Sequence, residues 1–378
     1  MGALDGILVA DFSRVLAGPL AAMTLGDLGA EVVKVEPPGG DETRGWFPPV
    51  DDQGRSTYFL AVNRNKRSVV FDLKDEGDLA LTRELVSRAD VVIENFRPGT
   101  MERFGLDYES VSRENPGVVY CSITGFGRDR GAAMPGYDPL VQALSGLMSV
   151  TGPADGEASK VGVAVVDVVA GMNAATGILA ALYSRQAGGG GQRVEVDLLS
   201  TALSGLANQS SAWLNTDQAP TRAGNVHPSI EPFRTFTAAD GPLMVCAGND
   251  AQFARLAEAL GTPELVEDPR FLTNADRVAN RDVLGQLIEQ ALAGRTVTEW
   301  TEAFTAAGVP AGPVNDIGQG YALAESLGLD PVDDTGGPRT PASPIGLSAE
   351  PTNTRRPPPT LDQHGSEIRD WLADRPKG

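Results

Sequence analysis

The chain has 378 residues, and its 41% hydrophobic and 21% charged content is typical of a globular protein of two or three domains. Its formal net charge of −19 argues against nonspecific nucleic-acid binding, which needs a basic surface. The sequence has neither a basic and apolar leader nor an uninterrupted apolar run approaching ~18 residues, so we expect a cytoplasmic protein without a membrane span.

Strand and helix patterns alternate through the first half of the chain. Apolar runs predict five strands, at Ile7–Asp11, Ala30–Glu36, Ser68–Leu73, Asp90–Asn95 and Val118–Phe126. Helices are predicted between them, including one that Pro19 opens and Gly29 closes, and another at Gly77–Arg88. This alternation predicts a parallel sheet covered on both faces, in a doubly wound, Rossmann-like α/β domain.

A long helix rich in small residues is predicted next, at Val166–Gln186. The glycine run Gly188–Gly191 follows this helix and lacks the GxxxxGK[ST] pattern, so it predicts a turn and not a phosphate-binding loop. A further strand begins at Arg193, and a second apolar helix is predicted to run to about Leu214.

The second half of the chain predicts a smaller domain. We assign residues 1–205 to a large domain, completed by about 340–378, and residues 225–320 to a small α+β domain. Polar and proline-rich segments at 206–224 and 321–339 are predicted to be linkers. The elements predicted here are a β-hairpin at Thr235–Gly248 that turns at Asp240–Gly241, and helices at Ala251–Leu260, Arg281–Ala293, Val297–Ala307 and Gly365–Ala373.

The sequence lacks the common catalytic motifs. Two distant cysteines rule out a disulfide framework and a cysteine-rich metal site, and two histidines without HxxxH or HExxH spacing lead us to expect no metal. No GxSxG occurs and no GxGxxG follows the first strand, so no motif in the sequence supports a serine hydrolase or a dinucleotide-binding protein. Three of the five lysines, Lys34, Lys66 and Lys74, lie close together in the sequence, which mildly indicates an anion site.

One carboxylate is distinguished by its position. Asp167 lies near the N-terminus of the long predicted helix, where an aspartate is most often an N-cap. The helix dipole would keep this carboxylate ionised, as a nucleophile also requires. Residue type and position alone therefore favour a capping role and leave a catalytic role open.

A series of distinctive segments runs along nearly the whole chain: Leu4–Pro38, Gly40–Trp46, Asn63–Lys74, Val91–Tyr108, Ile123–Gly127, Gly136–Gly152, the helix with Asp167, and GNVHPSIEPF at Gly224–Phe233. In content and order these segments resemble the family III coenzyme A transferases of the CaiB/BaiF type. That family includes formyl-CoA transferase, carnitine CoA-transferase and α-methylacyl-CoA racemase.

The resemblance implies both an activity and a nucleophile. Asp167 stands where the family has its catalytic aspartate, which attacks an acyl-CoA thioester and forms first a mixed anhydride and then an aspartyl-CoA thioester. An acceptor carboxylate then takes the coenzyme A. The implied substrates are an acyl-CoA and a carboxylic acid, and no metal or prosthetic group is expected.

The resemblance also implies a set of coenzyme A contacts. The matching residues are Arg14, Val15, Lys74, Asn95, Phe96 and Arg103. Arginine and lysine suit the ADP phosphates, and backbone amides near Phe96 suit the pantetheine. Leu16 departs from the family, which has a polar residue at this position after the first strand.

Two other functions compete with CoA transfer: an acyl-CoA racemase or epimerase, and a non-catalytic CoA-binding protein. The racemase branch has a histidine in a GHD motif, whereas this chain has Tyr137 before Asp138. An unperturbed tyrosine, with a pKa near ~10, is a poor base at neutral pH, so transfer is favoured. Tyr137 and Asp138 are expected to line the acyl pocket.

The small domain bears on the substrates. The segment with Asn225 and His227 resembles the branch that moves coenzyme A from succinyl-CoA to dicarboxylic acids, and both residues are expected to line the active site. Formyl-CoA transferase has a glycine-rich loop at this position, where this chain has a segment that contains Pro228. The difference disfavours formyl-CoA and oxalate as substrates. The resemblance further implies an interlocked homodimer, in which the His227 loop would reach the Asp167 of a neighbouring chain.

Overall fold

A computed structural model of the chain describes residues 2–334, 336–350 and 354–374. Its strands are β1 Leu8–Asp11, β2 Glu31–Glu36, β3 Lys66–Val70, β4 Val91–Glu94, β5 Val119–Thr124, β6 Gln192–Asp197, β7 Phe233–Thr237, β8 Pro242–Cys246, β9 Ala311–Pro313, β10 Val332–Asp333 and β11 Thr340–Pro341. Its first nine α-helices are α1 Ala17–Asp27, α2 Thr57–Ala61, α3 Glu76–Arg88, α4 Tyr108–Glu114, α5 Asp138–Leu144, α6 Leu147–Val150, α7 Val165–Gln186, α8 Leu198–Gly205 and α9 Asn208–Thr216. The others are α10 Asp250–Leu260, α11 Asn274–Ala279, α12 Arg281–Leu292, α13 Val297–Ala306, α14 Ile317–Ser326 and α15 Gly365–Ala373.

The chain forms two compact units. The first comprises Met1–Met148, Lys160–Ala219 and Leu329–Gly378, and the second comprises Ser149–Ser159 and Pro220–Gly328. Residues 225–320, which the sequence assigns to the small domain, all lie in the second unit.

The first unit is built on a six-stranded sheet with strand order β3-β2-β1-β4-β5-β6, and all its neighbouring strands are parallel. The order reverses direction between β1 and β4, because the chain builds outward from β1 to β3 before it returns to β4. In a doubly wound sheet a crevice opens at such a point, beyond the carboxyl ends of the strands. The structure thus confirms the predicted Rossmann-like α/β fold.

Two hydrophobic cores cover the two faces of this sheet. Val9 of β1 packs with α1 and α7 on one face, while its neighbour Ala10 packs with α3 and α15 on the other. This alternation follows from the two-residue period of a strand. Helices α1 and α7 approach closely, since a Cβ on Gly171 would lie 2.6 Å from the carbonyl oxygen of Ala17.

Among the described residues, α7 is the single helix whose length and apolar composition would suffice to cross a membrane. A core helix of a globular domain meets the same criteria. Here α7 contacts α1, α8, β5 and β6.

The second unit contains an antiparallel sheet of order β7-β8-β9, packed with α10, α12 and α13. The predicted hairpin is confirmed, with Phe236 paired to Leu243 across a turn that holds Asp240 and Gly241. Phe253, Leu284 and Phe304 are fully buried in its core. The arrangement is the α+β fold predicted from the sequence.

Some predicted elements differ from the structure. The second apolar helix does not run unbroken to Leu214, because Ala207 has a φ of 44° and separates α8 from α9. The segments predicted as linkers also contain regular structure. Helix α9 lies within 206–224, and part of α14 lies within 321–339.

Candidate active site

A cleft lies beyond the carboxyl ends of β1, β4 and β5, where the strand order reverses. Its walls include the turn after β1, the turn after β4, the segment after β5 and the first turn of α7. The cleft brings together six of the residues proposed from the sequence, namely Arg14, Val15, Asn95, Phe96, Tyr137 and Asp167. These residues come from four separate stretches of the chain, so the sheet topology places them side by side.

The turn after β1 has an unusual backbone. Val15 adopts a φ of 69°, a left-handed conformation that is costly for a β-branched residue. The Asn95 side chain holds the turn from β4, because its Oδ1 accepts from Arg14 N–H at 3.0 Å and its Nδ2 donates to Arg14 O at 2.8 Å. The Arg14 guanidinium lies 5.4 Å from the centre of the Phe96 ring. Asn95 therefore connects the two turns that form this wall.

A buried ionic network supports the same turn from below. Lys34 Nζ donates to Ser13 O and to Asp41 Oδ2, both at 2.9 Å, and Lys66 Nζ donates to Asp11 Oδ2 at 3.0 Å. Burial lowers the pKa of Lys66 to about 8, against the opposing effect of Asp11. Both ammonium groups are buried with protein partners, so the indication of an anion site from lysine clustering is wrong for Lys34 and Lys66.

Asp167 occupies the first turn of α7 on the cleft wall. The capping role favoured by residue type is wrong, since Ala164 is the N-cap and makes no side-chain capping bond. The cap comes from Asp138, whose Oδ2 accepts from Val166 N–H at 2.8 Å and from Asp167 N–H at 3.1 Å. Burial, and then the negative charge of Asp138, raise the pKa of Asp167 to about 7. These effects outweigh the helix dipole, which the sequence suggested would keep it ionised.

Tyr58 does not line the cleft but lies within reach of the charges of Asp167 and Asp138, and the sequence did not single it out. It lies on α2, and its pKa rises to about 12 through burial and the negative charges of Asp167, Asp138 and Asp41. Its ring packs edge-to-face on Trp46 with the ring centres 5.1 Å apart. Trp46 ends the segment Gly40–Trp46 that resembles the family, whereas no sequence signal pointed to Tyr58.

Tyr137 and Asp138 differ in their surroundings although they are neighbours. Tyr137 lines the cleft and is 56% exposed, while Asp138 is 3% exposed and directs its carboxylate to the start of α7. Lys74 and Arg103 are exposed and are not part of the cleft wall. Lys74 follows β3 at one edge of the sheet, and Arg103 lies in the short helix Met101–Phe104.

Asn225 and His227 belong to the second unit. Asn225 Nδ2 donates to Thr235 Oγ1 at 2.9 Å. Ser229 N–H donates to His227 Nδ1 at 3.1 Å, so that Nε2 carries the proton in the neutral ring. The His227 ring lies edge-to-face against Phe233, with centres 5.3 Å apart. Both residues are thus held by their own loop, and their place in an active site remains a prediction.

Within residues 2–334, 336–350 and 354–374, no group of three histidine, cysteine, aspartate or glutamate side chains could hold a metal ion. Asp167, a carboxylic acid of raised pKa, lines the cleft together with the cationic side chains of Arg14 and Arg97 and the carboxylate of Glu42.

The chain is similar to known coenzyme A transferases. A model of the family described as CoA-transferase family III matches residues 4–365. The acetyl-CoA:oxalate CoA-transferase of Acetobacter aceti is 42% identical over 98% of this chain and 96% of its own length. The succinate–glutarate CoA-transferase of Agrobacterium fabrum is 42% identical over 97% of this chain and 94% of its own length. The crystal structure of a CaiB/BaiF family protein from Brucella suis matches with a TM-score of 0.89 and 40% identity, covering 98% of this chain and 99% of that one.

Proposed function

This chain belongs to CoA-transferase family III, and we propose that it moves coenzyme A from a succinyl-CoA-like donor to a short dicarboxylic acid through covalent intermediates on Asp167. The observation that carries the proposal is the position of Asp167. Its carboxylate lies on the wall of the cleft at the switch point of the sheet, next to the residues matched to the coenzyme A site.

The reaction can be written as four exchanges. The Asp167 carboxylate attacks the donor thioester carbon, and the C–S bond breaks to give a mixed anhydride and the CoA thiolate. The thiolate attacks the Asp167 acyl carbon, which releases the donor carboxylate and leaves an aspartyl-CoA thioester. The acceptor carboxylate attacks that thioester, forming a second anhydride and freeing the thiolate. The thiolate finally attacks the acceptor carbon, which yields acceptor-CoA and restores the Asp167 carboxylate.

No net proton or electron enters this sequence, so we propose that the enzyme needs no prosthetic group. Asp167 must be ionised to attack, and its pKa of about 7 leaves a substantial ionised fraction at neutral pH. A carboxylate of raised pKa is also a stronger nucleophile once it is ionised. Val15, Asn95 and Phe96 are proposed to hold the pantetheine end of coenzyme A, and Arg14, Lys74 and Arg103 its phosphates.

The relatives guide the choice of acceptor. The free acids in their names, oxalate, glutarate and succinate, are dicarboxylates, and the name of the oxalate enzyme also contains acetyl-CoA. Pro228 is a weak reason to disfavour oxalate, because the oxalate enzyme and the glutarate enzyme are both 42% identical to this chain. We therefore propose short dicarboxylates as a class, with Tyr137, Asn225 and His227 among the groups that contact the acid.

We further propose that the enzyme works as an interlocked homodimer. Large apolar side chains are exposed on α7 and α9, including Tyr183 at 75% and Leu214 at 77%. Exposed apolar surface of this kind is typical of a protein interface, and a second copy of the chain would cover it. Light scattering of active solutions should give a dimer, and a mass of 39.6 kDa would contradict the proposal.

Trapping tests the covalent mechanism. The enzyme is incubated with succinyl-CoA and hydroxylamine, which converts an aspartyl thioester or anhydride to a hydroxamate. Peptide mass spectrometry should find the hydroxamate at Asp167, and Asp167→Ala should lose both label and turnover. Asp155→Ala, at an exposed aspartate, is the matched control and should keep both. A fully active Asp167→Ala enzyme would refute the assignment.

A second assay separates transfer from racemisation. With a 2-methylacyl-CoA in deuterium oxide and no acceptor acid, a racemase must exchange the α-proton through an enolate, whereas a transferase need not. We expect no exchange at the turnover rate, and we expect label to pass from the acyl-CoA to an added dicarboxylate. Rapid α-deuteration would overturn the proposal.

A further inference from the structure

Helix α7 begins without a capping side chain of its own. Its N-cap is Ala164, although the first amides of a helix need acceptors from outside the helix. The Asp138 carboxylate, which belongs to α5 and is 3% exposed, accepts from two of these amides, those of Val166 and Asp167. The residue that would carry the chemistry is thus hydrogen-bonded through its own backbone to a buried carboxylate.

Gln142, one turn later on α5, extends the same connection. Its Nε2 donates to Asp138 Oδ1 at 2.5 Å and lies 3.4 Å from Val163 O, while its Oε1 accepts from Val161 N–H at 2.8 Å. Gln142 is 1% exposed. Its amide nitrogen donates and its amide oxygen accepts, so only one orientation of the amide satisfies all of these partners.

We propose that Asp138 and Gln142 form a positioning pair that fixes the segment 161–167 and so holds the Asp167 carboxylate at the angle of attack on the thioester. The proposal rests on the proposed role of Asp167. Neither side chain needs to contact the substrate, because both act through the backbone of this segment. A positional error of about 1 Å at a reacting group can lower a rate by about 100-fold, so residues that fix the position of Asp167 can affect the rate strongly.

The pair has an electrostatic consequence as well. After burial, the Asp138 charge is the other contribution that raises the pKa of Asp167. Among the described residues, other ionisable groups of this region include Tyr58 from α2 and, on the cleft wall, Arg14, Glu42, Arg97 and Tyr137. Removing the charge at position 138 should therefore lower the pKa of Asp167 and move the acidic limb of the pH–rate profile to lower pH.

Three variants test the pair: Asp138→Asn, Gln142→Ala and the double variant Asp138→Asn/Gln142→Glu. Asp138→Asn keeps an acceptor for the Val166 and Asp167 amides, but its NH2 group would oppose the Gln142 amide. In the double variant the carboxylate at 142 accepts from that NH2 group and from Val161 N–H, which restores these two hydrogen bonds but not the 3.4 Å contact with Val163 O. Asp107→Asn is the matched control, since Asp107 is a buried cap of α4 in the same unit.

The measurement is the rate of hydroxamate formation at Asp167 against pH, with saturation by succinyl-CoA giving its KM. We expect Asp138→Asn to slow labelling at least about tenfold with KM changed less than about threefold, and to shift the acidic limb down by about half a pH unit. Gln142→Ala should slow labelling without that shift. The double variant should recover part of the rate, and Asp107→Asn should match wild type.

The outcomes separate this inference from the proposed function. Labelling in wild type with unchanged rate and pH profile in Asp138→Asn and Gln142→Ala would overturn the pair and leave Asp167 as nucleophile. Failure to label Asp167 in wild type would overturn the proposed function instead. Melting temperatures of all variants identify any rate loss that arises from unfolding.

Discussion

Replacing Asp167 with asparagine should stabilise the protein at high pH and much less at low pH. Burial and Asp138 raise the pKa of Asp167 from 3.8 to about 7, so the folded state favours the protonated acid. The stability that this raised pKa contributes is complete below the unfolded pKa and is lost as pH rises through the folded pKa. Above about pH 7 the wild-type protein therefore holds a poorly solvated carboxylate, which Asp167→Asn removes.

The shift sets the magnitude of this effect. Three pKa units correspond to about 4 kcal/mol of unfolding free energy, present in full at pH 8.5. At pH 5 Asp167 is already protonated in the folded protein, and the unfolding free energy lost through its raised pKa falls to less than about 2 kcal/mol. Because Asp167 is only half-buried, solvent screening makes both figures upper bounds.

Thermal unfolding of wild type and Asp167→Asn at pH 5 and pH 8.5 measures the difference. We expect the variant to melt several degrees higher at pH 8.5 and the gap to shrink at pH 5. Asp155→Asn removes an exposed charge instead and should show the same small difference at both pH values. A gap that does not depend on pH, or a variant that melts below wild type at pH 8.5, would refute the reasoning.

Two further predictions concern the turn after β1. Asn95→Ala removes both hydrogen bonds to Arg14, so the KM for acyl-CoA should rise about tenfold while the labelling rate at saturation changes little; an unchanged KM would contradict this. Lys66→Met leaves the Asp11 carboxylate buried without its cation, which should cost about 3–5 kcal/mol of unfolding free energy. Asp11→Asn in the Lys66→Met background should recover part of the lost stability. An unaltered melting temperature in Lys66→Met would argue against a stabilising role of the Lys66–Asp11 ion pair.

Much of the fold could be predicted from local sequence patterns. Apolar runs with helical segments between them predicted the parallel sheet, and Asp240–Gly241 marked the hairpin turn, because period and turn chemistry are encoded by neighbouring residues. The break at Ala207 was not predictable in this way, since Ala207 carries no signal for a positive φ. Ordered motifs identified the family and gave Asp167 a proposed role that its residue type alone did not favour.

The electrostatics of the site were decided by the tertiary structure. Lys34 and Lys66 resembled free cations in the sequence, but folding places them against Asp41 and Asp11 in a buried network. Asp167 resembled a helix cap that the dipole would keep ionised, yet the cap is Asp138, 29 residues away, and its charge helps to raise the pKa of Asp167. Desolvation and Coulomb energies depend on distances through space, and those distances exist only once the sheet has brought the separate stretches of the chain together.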